Sequence, residues 1–355
     1  MSELNVIEVD GSVGEGGGQV LRTALAVAAV LERPVRVYNI RVKRQRPGLQ
    51  RQHMTSVKAV AEISRGKVEG LSLGSTEVTF YPGRPTGGSY FFDIGTAGSV
   101  TLLLQAIMPV MAAAGEATAR VRGGTDVPKA PPIDYYRFVL APLLAKFNIS
   151  LDIRLLRRGH YPRGGGEVVV TLRKEGPLRP VSLVSSGKVI RVEGLSHCVR
   201  LPAHVAQRQA SAAAELLKRL GSPVNIMTES YESAKDPHLG PGSGILVWAV
   251  TESSVLGGDA LGERGKPAEE VGREAARSLL EDLSTGMALD RHASDMLLIY
   301  AALAGGTSEL GGASLTLHAR TVIDVLRTVL PEASISLSGD LNRPFTASIK
   351  GASLL

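Results

Sequence analysis

The sequence contains a single cysteine, Cys198, among 355 residues. One thiol excludes a disulfide framework and any metal cluster built from several cysteines. Aromatic residues make up only 4% of the chain, and no apolar run is long enough to cross a membrane. The longest weakly polar stretch, Val100 to Ala114, follows a glycine turn and is predicted to be a buried helix. No signal peptide is visible, so we expect a cytoplasmic protein without membrane contact.

Several nucleotide-binding motifs are also missing. The pattern G-x-x-x-x-G-K-[ST] does not occur, which argues against a P-loop NTPase. No G-x-G-x-x-G follows the first predicted strand in the right register, and no K-x-D-G motif offers a lysine for adenylylation. The histidines show neither H-E-x-x-H nor a close ligand spacing. If this chain binds or transfers phosphate groups, it must therefore use a binding motif other than these.

The composition describes a well-buried globular protein, with 44% hydrophobic and 21% charged residues. At 355 residues the chain is too long for one ordinary core, so two domains or a repeated architecture is expected. The net charge of +6 and the pI of about 9.5 favour a polyanionic partner.

A glycine turn that leads into a helix is the first candidate site. The run Gly14-Glu-Gly-Gly-Gly-Gln-Val-Leu-Arg-Thr23 opens an apolar segment that ends at Leu31. Glycine lets the backbone approach a ligand closely, and a helix N-terminus offers unpaired N–H groups and a positive dipole end. Glu15 and Arg22 bracket the turn, as a metal-bound phosphate site requires.

A cationic segment, Arg41–His53, follows within the same unit and contains a Pro47-Gly48 turn. Its polar side chains can converge on phosphates, although a solvated basic loop is the alternative interpretation. No stacking aromatic residue interrupts the segment, so it is typical of phosphate capture and not of base reading. The five candidate side chains are Arg41, Arg44, Arg51, Gln52 and His53.

A repeat becomes visible when the turns are used as markers. Each unit contains an apolar helix, a β-like segment, an amphipathic helix and closing strands. The pattern predicts an α/β (α+β) fold of three β-α-β-α-β-β repeats. The apolar helices are predicted at Val20–Leu31, Val100–Ala114 and Met296–Ala304, the segments after them at Val35–Arg41, Ala117–Arg122 and Ser308–Leu317, and the amphipathic helices at Leu49–Ile63, Pro132–Phe147 and Ala319–Leu330.

The third unit begins far too late for the spacing between the first two. The excess of residues lies between about Gly187 and Asp282 and has its own strand–helix–strand–helix pattern. An inserted domain is the economical explanation. We therefore predict a large repeat domain over residues 1–186 and 283–355, and a smaller α/β domain over residues 187–282.

His318 is the most suggestive single residue. The run Ser314-Leu-Thr-Leu317 alternates like a strand, and an amphipathic helix follows it directly. The positive end of that helix disfavours imidazolium, and a neutral imidazole is a competent nucleophile. The residues alone leave open a capping or core role for this histidine. They also leave open a purely structural role for Gln105 in the second apolar helix, for the proline turn at Pro132 and for the polar turn that holds His292 and Asp295.

Taken together, these motifs resemble the RNA 3′-terminal phosphate cyclase family, and they run nearly end to end in the family's order. The motifs are Gly14-Glu-Gly-Gly-Gly-Gln-Val-Leu-Arg22, Arg46-Pro-Gly-Leu-Gln-Arg-Gln-His53, Gly95-Thr-Ala-Gly-Ser99, Gly123-Gly-Thr-Asp126, Ala130-Pro-Pro132, His160-Tyr-Pro-Arg-Gly-Gly-Gly166, Gly240-Pro-Gly-Ser-Gly244 and Thr316-Leu-His-Ala-Arg-Thr321.

The resemblance implies the same repeat fold with an inserted domain, and a ligase that acts on RNA with a 3′-terminal phosphate. In the implied reaction, ATP adenylylates a histidine and releases pyrophosphate. The AMP then passes to the RNA 3′-phosphate and gives an RNA end that is joined to AMP by a pyrophosphate linkage. The vicinal 2′-hydroxyl finally forms a 2′,3′-cyclic phosphodiester and releases AMP. ATP and Mg²⁺ or Mn²⁺ are the implied cofactors.

The resemblance also implies residue roles. His318 matches the adenylylated nucleophile, and Glu15 matches the residue that faces the divalent metal. The phosphate-binding cluster is matched by Arg22, Arg41, Arg44, Gln52 and His53, and the ATP pocket by Gln105, Pro132, His292, Ala293, Ser294, Asp295 and Met296. The family often has tyrosine where this chain has His292.

Two other classes compete with this interpretation. One is a non-catalytic cyclase-like protein of ribosome assembly, which is expected to lack the nucleophilic histidine that this chain has at position 318. The other is a phosphoenolpyruvate-dependent transferase built from similar repeats, which would be longer and would not need such a histidine.

Overall fold

The first repeat forms a small mixed sheet covered by two helices. The computed structural model describes residues 6–355. Strand β1 pairs parallel with β2, and β4 pairs antiparallel with both β2 and β3, in the order β1-β2-β4-β3. The elements are β1 (Ile7–Asp10), α1 (Gly18–Leu31), β2 (Val35–Tyr38), α2 (Arg51–Ile63), β3 (Lys67–Glu69) and β4 (Val78–Tyr81).

The second repeat has the same topology, with strand order β5-β6-β8-β7. Its amphipathic helix, predicted as one segment from Pro132 to Phe147, is divided by a wider π-helical turn at Tyr136–Leu140. The elements are β5 (Gly88–Asp93), α3 (Val100–Ala113), β6 (Glu116–Gly123), α4 (Ile133–Tyr135), α5 (Ala141–Ala145), β7 (Ile149–Arg157) and β8 (Gly166–Lys174).

The third repeat is interrupted after its first strand, β9 (Ser182–Leu183). The chain forms a separate sheet there and returns to complete the repeat, whose sheet order is β15-β16-β14-β9. The interrupting elements are β10 (Val189–Val199), α6 (His204–Leu217), β11 (Val224–Glu229), β12 (Gly242–Thr251), β13 (Val255–Leu261) and α7 (Ala268–Ser284). The returning elements are α8 (Ala293–Leu303), β14 (Thr307–Gly312), α9 (Leu317–Val329), β15 (Ser334–Ser338) and β16 (Phe345–Lys350).

The separate sheet has the order β11-β10-β12-β13 and packs against α6 and α7. The sequence pattern predicted four of its six elements and missed β11 and β13. In β13 the glycines weaken the strand signal, and a Cβ at Gly258 would lie 2.5 Å from the carbonyl oxygen of Ala275 on α7. The domain boundaries at residues 187 and 282 stay a prediction.

Helices α1, α3 and α8 are apolar on nearly all sides and lie in the centre of the repeats, where α3 contacts both of the others. One cluster of buried apolar side chains runs through all three repeats, and a second lies between the separate sheet and its two helices. The predicted three-repeat α/β fold class is confirmed. None of the helices among residues 6–355 combines the length and the apolar character needed to cross a membrane.

Candidate active site

The glycine turn of the first repeat packs directly against the third repeat. Gly14 and Gly16 have φ of 62° and 57°, the left-handed region that favours glycine. A Cβ on Gly14 would lie 2.0 Å from the hydroxyl oxygen of Thr321 on α9. The turn therefore places Glu15 beside the first turn of α9, although the two segments lie near opposite ends of the chain.

His318 lies within the first turn of α9, but the segment before it, Ser314–Leu317, does not form the strand that its alternating pattern suggested. Strand β14 ends at Gly312, and the hydroxyl of Thr316 caps α9 by accepting a hydrogen bond from the N–H of Ala319 at 3.0 Å. The position at the positive end of a helix dipole is as predicted.

Glu15 sits between His318 and a cation. Its Oε2 lies 3.6 Å from Nε2 of His318 and accepts a hydrogen bond from Arg44 at 3.0 Å. Partial burial lowers the pKa of His318, while the Glu15 carboxylate acts in the opposite direction. The net shift is downward, so the neutral imidazole, with a free lone pair, predominates at pH 7.

We expect the imidazole of His318 to titrate below its ordinary pKa of 6.5. Glu15→Gln should lower this pKa further, because the substitution removes the nearby negative charge that favours imidazolium. Histidine ring NMR over a pH series measures both values. Glu69→Gln, an exposed carboxylate on β3, is the matched control and should leave the titration unchanged. A His318 pKa above 6.5, or an upward shift in Glu15→Gln, would contradict this electrostatic account.

The N-terminus of α1 is lined by Arg22 and His53. A Cβ on Gly18 would lie 2.7 Å from Nε2 of His53 and 2.8 Å from a terminal guanidinium nitrogen of Arg22, so these two groups face the same helix start. Burial, together with Arg41 and Arg22, lowers the pKa of His53 to about 3. Nδ1 of His53 accepts a hydrogen bond from the N–H of Gln50 at 3.2 Å, which leaves the hydrogen of the neutral ring on Nε2. His53 is therefore an uncharged donor at the helix start.

The remaining members of the predicted phosphate cluster have internal partners. The Gln52 side-chain oxygen accepts a hydrogen bond from the N–H of Ser99 at 3.1 Å and so links the first repeat to the start of α3. The guanidinium of Arg41 donates to the carbonyl oxygens of Arg46 and Gly48, both at 2.7 Å, and holds the basic loop in shape. In this geometry, the Arg41 guanidinium stabilises the loop and does not extend into solvent towards a phosphate.

Three predicted nucleotide-pocket residues lie behind Arg22 around a cavity of about 20 Å³. Such a volume holds about one water molecule and no adenine ring. One polar atom of each of Arg22 (Nε), Gln105 (Oε1) and Asp295 (Oδ1) is buried without a hydrogen-bond partner in residues 6–355. Burial raises the pKa of Asp295 to about 7, so its carboxyl carries a proton in part of the molecules at neutral pH. Met296 also lines this cavity.

The turn before α8 is organised by Asp290, which the sequence search did not single out. Its Oδ1 accepts hydrogen bonds from the N–H groups of His292 and Ala293 at 2.9 and 2.8 Å, and from the Tyr135 hydroxyl at 2.6 Å. The His292 ring lies edge-on to Tyr135, with centroids 5.6 Å apart. Ala293, Ser294 and Pro132 are buried, and Pro132 precedes the first turn of α4.

Asp259, on β13 of the separate sheet, was also missed by the sequence search. Its Oδ1 lies 3.7 Å from Nε2 of His292. No spacing signal could have linked these residues, because Asp259 lies on β13 of the separate sheet and His292 in the turn before α8.

The structure thus brings Glu15, Arg22, Arg44, His53 and His318 to one place, between the first turns of α1 and α9. Glu15 is the carboxylate there that can face a divalent cation, and Mg²⁺ is commonly held by one or two carboxylates plus substrate phosphates. Arginine and imidazole donors beside two helix N-termini form a site that suits a polyphosphate.

Comparison with known proteins shows which family and which proteins this chain resembles. A family model described as RNA 3′-terminal phosphate cyclase matches residues 13–334. A protein of that name from Hyperthermus butylicus is 60% identical over 98% of this chain and 98% of its own length. Proteins of the same name from Ignicoccus hospitalis and Methanopyrus kandleri are 57% and 51% identical, each over 98% of this chain and 99% of their own length. The solved enolpyruvyl transferase NikO from Streptomyces tendae covers 99% of this chain and 49% of its own at 13% identity, and its TM-score of 0.39 is too low to support an inference.

Proposed function

This chain belongs to the RNA 3′-terminal phosphate cyclase family, and on that premise we propose that it uses ATP to convert an RNA 3′-terminal phosphate into a 2′,3′-cyclic phosphodiester. The observation that carries the proposal is the placement of His318. Its ring lies at the start of α9, 3.6 Å from the Glu15 carboxylate and beside the cations of the first repeat.

In the first step a lone pair on the neutral His318 ring attacks the α-phosphorus of ATP. A nitrogen–phosphorus bond forms, the bond to the bridging oxygen breaks, and pyrophosphate leaves. Arg22, Arg44 and the neutral donor His53 can stabilise the negative charge that grows on the leaving pyrophosphate. A divalent cation held by Glu15 supplies further charge neutralisation when it is bound.

In the second step an oxygen of the RNA 3′-phosphate attacks the phosphorus of adenylyl-His318. The nitrogen–phosphorus bond breaks, and the RNA end becomes RNA-(3′)pp(5′)A, because the attacking phosphate is attached to the 3′ carbon. In the third step the vicinal 2′-hydroxyl attacks the RNA phosphorus and gives its proton to solvent water. A bond from O2′ to phosphorus forms, the bond from phosphorus to the bridging oxygen breaks, and AMP leaves. Adenylylation matters because it replaces a poor leaving group with AMP.

The nucleotide pocket is part of the same proposal. The family resemblance assigns Gln105, Pro132 and residues 292–296 to ATP binding, yet the cavity that Gln105 and Asp295 line holds about one water molecule. We propose that the base binds outside this cavity, on the side of the half-buried His292 ring. Asp295 then acts on Arg22 through its charge, whereas the guanidinium is held by the hydrogen bond that it donates to Gln19 at 2.8 Å.

We expect the purified protein to convert RNA with a labelled 3′-phosphate into a phosphatase-resistant product only when ATP and Mg²⁺ or Mn²⁺ are present. RNA with a 3′-hydroxyl is the matched negative control. RNA whose last nucleotide has a 3′-phosphate and no 2′-hydroxyl should stop at the adenylylated end, because the final nucleophile is missing. If no ATP-dependent, phosphatase-resistant end forms, the cyclase proposal is wrong, and the non-catalytic alternative gains support.

A further inference from the structure

A second cluster of polar side chains lies away from His318, where the second repeat meets the separate sheet. Its members are Asp126, after β6; His160, between β7 and β8; and His197, on β10. One ligand atom from each lies within 4.8 Å of the others, and all three residues are buried. The motifs around Asp126 and His160 play no part in the reaction proposed above.

The distances fit a small metal ion. Nε2 of His160 and Nε2 of His197 are 3.2 Å apart, and Nε2 of His197 lies 3.8 Å from Oδ1 of Asp126. Two ligands of a tetrahedral zinc ion, each about 2 Å from the metal, are separated by about 3.3 Å. A hydrogen shared between the two rings would account for the first distance, but it would leave the aspartate oxygen unexplained.

That oxygen is the second, independent observation. Oδ1 of Asp126 is buried without a hydrogen-bond partner in the described residues, and it points towards the two imidazoles. The other oxygen, Oδ2, accepts from the Thr125 hydroxyl at 2.6 Å and lies 3.5 Å from Arg158. These contacts hold the carboxylate in one orientation, as outer-shell groups do around metal ligands. A buried, unpaired carboxylate oxygen is costly unless a cation faces it.

The local charge balance also permits a cation. The fully buried guanidinium of Arg158 faces three carboxylates, those of Asp126, Asp134 and Glu229. The cluster therefore retains negative charge beyond what Arg158 neutralises, although Arg137 offsets part of it through Asp134. The guanidinium of Arg158 lies on the Oδ2 side of Asp126 and leaves the Oδ1 side free for a metal ion.

We propose that Asp126, His160 and His197 bind one zinc ion. Two imidazoles and one carboxylate are a donor set that zinc accepts, with a fourth position for water. Asp126 and His160 also line a cavity of about 700 Å³, so the fourth position opens towards solvent. Since His197 belongs to the separate sheet and the other ligands to the second repeat, the ion would join these two parts of the molecule.

The test uses tag-free, full-length protein that has been stripped with a chelator and then titrated with Zn²⁺ alone. We expect one zinc per chain by elemental analysis after dialysis, and a rise in Tm on zinc addition. His160→Gln and Asp126→Asn should each weaken zinc binding by more than about tenfold. His238→Gln, a buried histidine paired with Asp236 outside the cluster, and His204→Gln, an exposed one on α6, are the matched controls and should bind as the wild type does.

Co²⁺ provides a readout that survives if a variant fails to fold. Wild-type protein loaded with Co²⁺ should show the intense visible absorption of a tetrahedral site, and a weak octahedral spectrum would contradict the assignment. Absence of bound zinc in the wild type, or equal binding by His160→Gln and the controls, would overturn it. Because this readout is metal content, its failure is distinct from failure of the cyclase proposal.

Discussion

His318→Ala is expected to abolish transfer of radioactivity from α-³²P-labelled ATP to the protein. The substitution removes the proposed nucleophile, and the lone pair of the other imidazole in this site, on Nδ1 of His53, already accepts the N–H of Gln50. Removing a covalent nucleophile commonly costs many orders of magnitude, so we expect the labelling rate to fall by at least about 10³-fold. Denaturing gel electrophoresis after incubation with Mg²⁺ or Mn²⁺ measures the labelled fraction.

The chemical stability of the label identifies the bond. A phosphorus–nitrogen bond to histidine should be lost in acid and retained in base. His204→Ala, an exposed histidine on α6, is the matched control and should label as the wild type does. RNA supplied with a ready-made RNA-(3′)pp(5′)A end should still be cyclised by His318→Ala, because the third step needs no histidine nucleophile. Equal labelling of His318→Ala and wild type would show that the nucleophile lies elsewhere.

The second large effect concerns folding. Arg158→Gln is expected to lower the free energy of unfolding by about 3–5 kcal/mol, the range for breaking a buried ion pair. Arg158 has a fully buried side chain that lies 2.8 Å from both Asp134 and Glu229 and 3.5 Å from Asp126. The glutamine keeps much of the volume and removes the charge, so the carboxylates are left without their shared cation.

Arg173→Gln is the control for that measurement. Arg173 pairs with Glu116 on the surface of the second repeat, where both side chains are more than half exposed. An exposed pair of this kind contributes about 0–1 kcal/mol. Denaturant unfolding followed by circular dichroism compares the two variants under the same conditions. A loss for Arg158→Gln within about 1 kcal/mol of the control would mean that the buried carboxylates are neutral or reach solvent.

The repeat architecture could be predicted from the sequence because it depends on local patterns. An apolar helix after a glycine or polar turn, followed by an amphipathic helix, is visible in each unit without knowledge of contacts. The predictions from sequence fail where a segment alternates like a strand but does not pair with a neighbouring strand in the structure. Ser314–Leu317 alternates like a strand, but Leu315 makes only an isolated bridge to Leu341, and Thr316 is used as a helix cap.

The candidate active site was predictable in part for the same reason. His318, Glu15 and Arg22 each lie at or beside a helix N-terminus, which the sequence marks. The hydrogen bonds of Arg41 to its own loop, and the cap formed by Asp290, depend on backbone conformation that no spacing reveals.

The Asp126, His160 and His197 cluster was invisible to a search by ligand spacing. Its members come from three segments on two sheets, so only the folded chain brings them together. The buried charge of Arg158 has the same origin, because arginine in a β-strand or loop is ordinarily exposed.

The interruption of the third repeat has a consequence for the order in which a growing chain can fold. Among residues 6–355, strand β9 pairs with β14 alone, and β14 leaves the ribosome only after the whole separate sheet has been synthesised. The first two repeats and the separate sheet can therefore fold while β9 is still unpaired, because β14 has not yet been synthesised. His318 follows β14, so on the proposed mechanism a nascent or prematurely released chain presents Glu15 and the arginines but has no group to adenylylate. Consumption of ATP would begin only once synthesis of the third repeat is finished.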